Sequence, residues 1–198
     1  MSRCRCLVFD DHPLVGVAIR ATISTLPFID SVSVANNAKS ALNTIKSGAV
    51  DLLILDINLT DVDGYDFYRR IKSHGYRGKV LFYSAEESAL FSELAFKAGA
   101  DGYVCKSEQQ EILRDAVEGI FNGYTFFKFK STPSPEREKV ELSNREAVVM
   151  NHLLRGKTNK EIAHILSISD KTVSTYKKRL LDKYGVGNLM ELNKVAAL

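Results

Sequence analysis

Five polar side chains within the first 106 residues of this 198-residue chain stand where apolar runs stop. The run CLVF is followed by Asp10 and Asp11, LLIL by Asp56, LFY by Ser84 and GYVC by Lys106. Carboxylates brought together repel one another unless a cation neutralises them. Oxygen ligands suit Mg²⁺ or Mn²⁺ better than zinc. A carboxylate nucleophile, a hard cation, a hydroxyl and an ammonium in one place can accept and hold a phosphoryl group. A lone aspartate after a strand is usually a turn former or a helix cap, and that plainer reading suits Asp61, Asp63 and Asp66. The conjunction is more specific, because four different apolar runs each end on such groups.

Elements of two periods must position these groups. Apolar runs over 6–9, 31–35, 51–56, 79–84 and 102–106 read as strands, and helical period marks 13–26, 38–48, 65–74, 88–98 and 108–122. This alternation predicts an α/β fold, a (βα)5 doubly wound parallel sheet covered by helices on both faces. Strands one and three are neighbours in such a sheet. All carboxyl ends share one rim, which is where ligands bind.

Charge changes along the chain. Residues 1–123 carry 13 Lys and Arg against 16 Asp and Glu, whereas residues 124–198 carry 14 against 8. That asymmetry predicts two domains, the second drawn to a polyanion. Gly123 closes the fifth helix. A charged stretch with two prolines follows, so we place a first domain over 1–123, a linker over 124–141 and a second domain over 142–198. Ser143 with Glu146 forms a capping-box pattern opening a helix that Gly156 ends. TNKEIAHIL, ISDKTVSTYKKRLLDKYG and NLMELNKVAAL supply three more, giving a small all-α four-helix domain. No apolar run approaches the ~20 residues of a membrane span. The N-terminus meets acidic residues too early for a signal peptide, so a cytoplasmic location is expected. Cys4, Cys6 and Cys105, an odd count without metal-ligand spacing, read as free thiols.

TNKEIAHILSISDKTVSTYKKRL reads as helix, tight turn, helix. Ile162, Ala163, Ile165 and Leu166 can pack inward on the first helix, and Val173, Leu180 and Leu181 on the second. Lys171, Ser174, Thr175, Lys177 and Lys178 are left outward near the start of the second. Short polar and basic side chains there suit the major groove of double-stranded DNA. An ordinary solvated helix with lysines is the plainer alternative.

Residues 1–123 resemble the receiver domain of two-component response regulators, on Asp10 and Asp11 in VFDDHP, Asp56 in LLILD, Ser84 in LFYSAEE and Lys106 in GYVCK. The resemblance implies that Asp56 is the phospho-acceptor. It implies that Asp11, Asp56 and the main-chain carbonyl of Asn58 ligate Mg²⁺, with Asp10 acting partly through water. Lys106 and Ser84 would hold the phosphoryl group, and Tyr103 would be the aromatic switch that follows Ser84. Asn58 and Glu86 would flank an attacking water, implying a short-lived phosphoryl group. Ser107 and Thr60 depart from the pattern, each standing where the family usually has proline.

The stretch 142–198 resembles the LuxR-type helix-turn-helix of NarL/FixJ regulators. Leu142-Ser143-x-Arg145-Glu146, Gly156, Asn159-Lys160-Glu161-Ile162-Ala163 and Lys171-Thr172-Val173-Ser174 carry the likeness, and KTVSTYKKRL is similar to the Bvg/Evg-type regulators. The resemblance implies that Ser174, Thr175 and Lys178 face base edges. Thr158, Asn159, Lys160, Lys171, Thr172, Tyr176 and Lys177 would lie nearer the DNA backbone. The fourth helix, with Leu189, Leu192, Val195 and Ala196, would supply contacts between copies; the domain's own core is the plainer use of that stripe.

The expected function is a transcription factor rather than an enzyme. A sensor histidine kinase would phosphorylate Asp56, with Mg²⁺ or Mn²⁺ as cofactor. Double-stranded DNA, a second copy of the chain and RNA polymerase are the other expected partners, and no membrane is involved. Two further readings stay open. One is a dimeric DNA binder that works without phosphorylation. The other is a phosphatase of the haloacid-dehalogenase kind, which usually needs a second aspartate where Asn58 stands and leaves the basic helices unexplained.

Overall fold

The computed structural model describes residues 3–48, 50–87, 89–128, 140 and 142–196. The chain divides into two compact units, Met1–Lys130 and Ser131–Leu198.

In the first unit five strands alternate with five helices. They are β1 (Cys4–Phe9), α1 (Pro13–Ile23), β2 (Ile29–Ala35), α2 (Ala38–Lys46), β3 (Leu52–Leu55), α3 (Gly64–Ser73), β4 (Lys79–Ser84), α4 (Ala89–Lys97), β5 (Gly102–Cys105) and α5 (Gln110–Phe121). The strand order is β2-β1-β3-β4-β5 and every pairing is parallel. All of β3 and β5 is buried, as expected for strands covered by helices on both faces. The polar residues singled out by sequence therefore lie at one rim. Ser84 is the last residue of β4, whereas Asp10, Asp56 and Lys106 lie one residue beyond Phe9, Leu55 and Cys105. β3 and β5 are each shorter than the apolar run that announced them.

The loop from β3 to α3 is drawn tight. Gly64 N–H donates to the Ile57 carbonyl at 2.9 Å. A Cβ on Gly64 would sit 2.2 Å from the Asp56 carbonyl oxygen, so only glycine allows this approach. Asp63 caps α3 by accepting from Asp66 N–H, as its position after a strand suggests. Asp61 does something less local. Its Oδ2 accepts from Ala38 N–H at 2.7 Å, at the start of α2, whose N-cap is Asn37.

Tyr124–Lys128, placed in the linker by sequence, runs along the β5 edge. Tyr103 N–H donates to the Phe126 carbonyl at 2.8 Å, and Phe126 N–H to the Asp101 carbonyl at 2.9 Å. Phe127 packs edge-on against Phe96 of α4, ring centroids 5.3 Å apart. Within the expected linker 124–141, residues 129–139 and 141 lie outside the described residues.

The second unit holds α6 (Asn144–Leu154), α7 (Asn159–Ile165), α8 (Asp170–Tyr184) and α9 (Leu189–Ala196). Ser143 and Glu146 form the expected capping box, and Thr158 with Glu161 forms another. Val148, Val149, Leu153, Ile162, Ala163, Leu166, Val173, Leu180 and Leu192 are buried. Ile165 and Leu181, expected inside, are only half-buried. Helix α9 contributes Leu192 to the unit's own core, while Met190 is exposed; the side chains of Val195 and Ala196, named in the same stripe, lie outside the described residues. The turn between α7 and α8 is carried by Ser167 at φ 49°, a left-handed conformation that costs a non-glycine residue on the order of 1 kcal/mol.

Candidate functional site

At the carboxyl rim the sheet collects three carboxylates and one ammonium. Asp10 and Asp56 are buried. The Lys106 ammonium bridges them, donating to Asp10 Oδ2 and to Asp56 Oδ2 at 2.6 Å each. Asp56 Oδ1 accepts from Asn58 N–H at 3.2 Å. Burial pushes the Asp56 carboxyl above its usual range, against the opposing pull of Lys106. Burial lowers the Lys106 ammonium, but Asp56 and Asp10 outweigh it and hold the group above its usual value.

Asp11 completes the cluster. One of its oxygens, Oδ2, accepts from both Thr60 N–H and Thr60 Oγ1–H, at 3.0 and 2.7 Å. The other, Oδ1, is buried without a hydrogen bond; His12 Nδ1 lies 2.9 Å away but out of hydrogen-bond alignment. His12 Nδ1 also stands 3.3 Å from Asp10 Oδ1, and His12 N–H donates to that oxygen at 2.8 Å. One ligand atom from each of Asp10, Asp11, His12 and Asp56 falls within 4.8 Å of the others.

This donor set fits a hard divalent cation. Three carboxylates gather around one ammonium, so negative charge is in excess, and Asp11 Oδ1 is buried without a hydrogen bond and can take a cation. Oxygens dominate the set, as magnesium and manganese prefer.

The switch residues lie beside the cluster. The Ser84 hydroxyl is fully buried and makes no hydrogen bond, although the Tyr103 phenol is its close neighbour. That phenol is buried and donates instead to the Glu86 carbonyl at 2.5 Å. Burial pushes it well above the usual phenol range. Asn58 Nδ2 donates to Glu86 Oε1 at 3.4 Å. The rim therefore brings together Asp10, Asp11, Asp56, Asn58, Ser84, Tyr103 and Lys106. Sequence reasoning missed His12 as part of the cluster and Thr60 as a donor to Asp11. His12 could have been found from its place directly after the acidic pair. Thr60 stands out in sequence only as a departure from the usual proline, and its bonds to Asp11 depend on how the β3–α3 loop folds back.

A cavity of about 730 Å³ lies elsewhere, between the ends of α2 and α3 at the amino ends of β3 and β4, lined among others by Lys46, Arg70 and Arg77. Lys46 and Arg70 lie in the last turns of α2 and α3, where they answer the helix dipoles. The cavity is remote from the acidic cluster.

In the second unit α7 and α8 pack together and leave one face of α8 polar. Lys171, Ser174, Thr175 and Lys178 are exposed, as expected, while Lys177 is half-buried. Three of the expected DNA residues have structural duties. Thr158 is the N-cap of α7. Thr172 N–H donates to the Ser169 cap, and the two hydroxyls lie 2.8 Å apart. Asn159 Nδ2 donates to Ser174 Oγ at 3.0 Å, linking α7 to α8 and leaving the Ser174 hydroxyl proton to serve another acceptor. Lys160 is exposed and Tyr176 half-buried. Arg179, which sequence did not single out, places its guanidinium 5.9 Å from the Tyr176 ring centre.

Comparison with known proteins matches both units. Residues 6–118 match the response regulator receiver domain, and residues 140–196 match the family described as bacterial regulatory proteins, luxR family. The chain is 33% identical over 200 residues to the Fimbriae Z protein of Salmonella typhimurium, covering 97% of this chain and 95% of that protein. It is 32% identical over 194 residues to the DNA-binding transcriptional activator EvgA of Escherichia coli, covering 94% of each. Among solved structures, RcsB from Salmonella enterica serovar Typhimurium, bound to promoter rprA in the presence of phosphomimetic BeF3⁻, has the same fold. Its TM-score is 0.66 at 22% identity, over 97% of this chain and 98% of that one.

Proposed function

This chain belongs to the response regulators that join a receiver domain to a LuxR-type DNA-binding domain, and from that premise we propose that Asp56 is the phospho-acceptor through which a sensor histidine kinase controls its pairing and its binding to DNA. The family is one of transcription regulators and not of enzymes, which sets aside the phosphatase reading. The observation that carries the proposal is the buried Asp56 carboxylate, held at one oxygen by Lys106 and surrounded by an excess of negative charge.

The Asp56 carboxylate attacks phosphorus, and the bond from phosphorus to the donor's imidazole nitrogen breaks as the new O–P bond forms. Asp11, Asp56 and the main-chain carbonyl of Asn58 would hold Mg²⁺, with Asp10 acting through water; the bound ion neutralises charge on the phosphoryl oxygens. Lys106 pairs with a phosphoryl oxygen. Ser84, whose buried hydroxyl makes no hydrogen bond among the described residues, donates a hydrogen bond to another. Tyr103 then leaves the Glu86 carbonyl and follows Ser84 inward, a two-state element biased by local charge. Asn58 and Glu86 border the acidic cluster and flank the path of a water that hydrolyses the phosphoryl group.

Two copies pair, and their α8 helices enter successive major grooves of double-stranded DNA. Ser174, Thr175 and Lys178 read base edges. Lys160, Lys171, Tyr176 and Lys177 contact the backbone directly, while Thr158, Asn159 and Thr172 position the helix starts. EvgA bears the name of a DNA-binding activator and RcsB has been seen on a promoter, which supports this reading; RNA polymerase is then the further partner. Among the described residues no helix is long and apolar enough to cross a membrane.

Intact mass after incubation with acetyl phosphate and Mg²⁺ tests the acceptor. Wild type gains one phosphoryl group and Asp56→Ala gains none. An adduct on both proteins would move the acceptor elsewhere. If Asp56→Ala leaves DNA affinity and dimerisation as in phosphorylated wild type, the protein works without phosphorylation.

A further inference from the structure

We infer that Thr60 is a positioning residue for the cation, fixing Asp11 so that one carboxylate oxygen faces the metal position; the inference rests on the acidic-cluster reading above. The first observation is the double hydrogen bond. Thr60 supplies a main-chain and a side-chain donor to the same oxygen, Asp11 Oδ2, at 3.0 and 2.7 Å. Two donors on one oxygen set the rotation of the carboxylate as well as its position. The second is what this leaves behind. Asp11 Oδ1 is buried and without a hydrogen bond, on a side chain only 8% exposed, within the group of ligand atoms that converge inside 4.8 Å. His12 Nδ1 stands 2.9 Å from it, but a buried carboxylate oxygen without a hydrogen bond is costly unless a cation comes to it.

The loop that carries Thr60 is anchored on both sides. Asn58 N–H donates to Asp56, Asp61 accepts from Ala38 N–H, and Gly64 N–H donates to Ile57. Thr60 is thus presented by a loop tied to β3, to α2 and to itself. The receivers that this domain resembles usually carry proline at the position of Thr60. Proline has no N–H and no hydroxyl, so it could make neither bond. Here the loop takes over the orientation of a metal ligand. Partners that orient a ligand typically contribute about 10–100-fold to metal affinity.

The substitution series separates the two donors. Thr60→Ser keeps both, Thr60→Val keeps only the main-chain donor, and Thr60→Pro removes both. Mn²⁺ binding to the full-length chain, read from the free-ion electron paramagnetic resonance signal, gives the affinity without any phosphoryl chemistry. Thr60→Ser is expected to bind as wild type, Thr60→Val roughly 10-fold more weakly and Thr60→Pro more weakly still. Urea unfolding in chelator accompanies each variant, because a purely structural role would lower stability without moving the affinity of the folded protein. Equal Mn²⁺ affinity in wild type, Thr60→Val and Thr60→Pro would overturn the inference. So would Thr60→Ser failing to restore it. Wild type that binds no Mn²⁺, while Asp11→Ala changes nothing, would instead remove the cation from the site altogether, and the positioning role with it.

Discussion

Lys106 shows how a single side chain holds the acidic cluster together. Its ammonium stands 2.6 Å from both Asp10 and Asp56, and it offsets a repulsion that burial makes expensive. Removing it leaves two buried carboxylates facing each other. Lys106→Ala is expected to cost about 3 kcal/mol in chelator, with part of the loss recovered on adding Mg²⁺. Urea unfolding with and without the ion checks this, and equal loss in both conditions would count against the cation. Other site residues act with less charge at stake. Ser84 is placed to donate, because its buried hydroxyl makes no hydrogen bond among the described residues and lies beside the Tyr103 phenol.

Among the elements, the helix starts are as informative as the strands. Glu146 closes the capping box of α6 and also accepts from Lys183 of α8 at 2.7 Å. Burial raises its carboxyl, but Lys183 and the Ser143 donors outweigh this and hold the group below its ordinary value of 4.5. The folded state therefore favours the carboxylate. This contribution is present above pH 4.5 and is lost as the pH falls through the lower, folded-state value. Wild type should exceed Glu146→Gln in stability by about 1 kcal/mol above that window, and the gap should close in acid. Urea unfolding followed by circular dichroism at several pH values measures it. A gap that widens in acid would contradict the assigned sign. At the other helix junction, the left-handed Ser167 keeps the turn between α7 and α8 short, and that turn sets how α8 presents its polar face.

At the scale of the whole molecule the charge division has a measurable consequence. The acidic receiver and the basic C-terminal unit answer to different ligands. DNA binding should weaken steeply with salt, at about 0.9 log units of affinity per log unit of salt for each phosphate neutralised. For a chain that binds as a pair, Lys171→Ala should lower that slope by roughly 2, one for each copy. Ser174→Ala should change sequence preference while leaving the slope alone, since a hydroxyl displaces no counterion. Fluorescence anisotropy across a salt series with phosphorylated protein separates the two. A Lys171→Ala slope equal to wild type would remove that lysine from the phosphate contacts.

The sequence by itself determined the parts that depend on near neighbours. Period gave the alternating strands and helices, and the ends of apolar runs gave Asp10, Asp56, Ser84 and Lys106, because a buried parallel strand admits polar residues only where it stops. Local capping chemistry gave Ser143 with Glu146. Tertiary structure alone decided the contacts that depend on how loops fold back. Thr60 reaches Asp11 across 49 positions and Asp61 reaches the start of α2 across 23. Thr60 stands out only as a replacement for the usual proline and Asp61 only as a turn former, and neither signal names the partner. Tyr124–Lys128 lies on β5 because an edge strand offers unpaired N–H and C=O groups, and only the finished sheet shows which edge is free. Lys177 and Leu181 are half-buried for the same kind of reason: helical period names a face, but the packing of α8 against its neighbours sets how much of that face is covered.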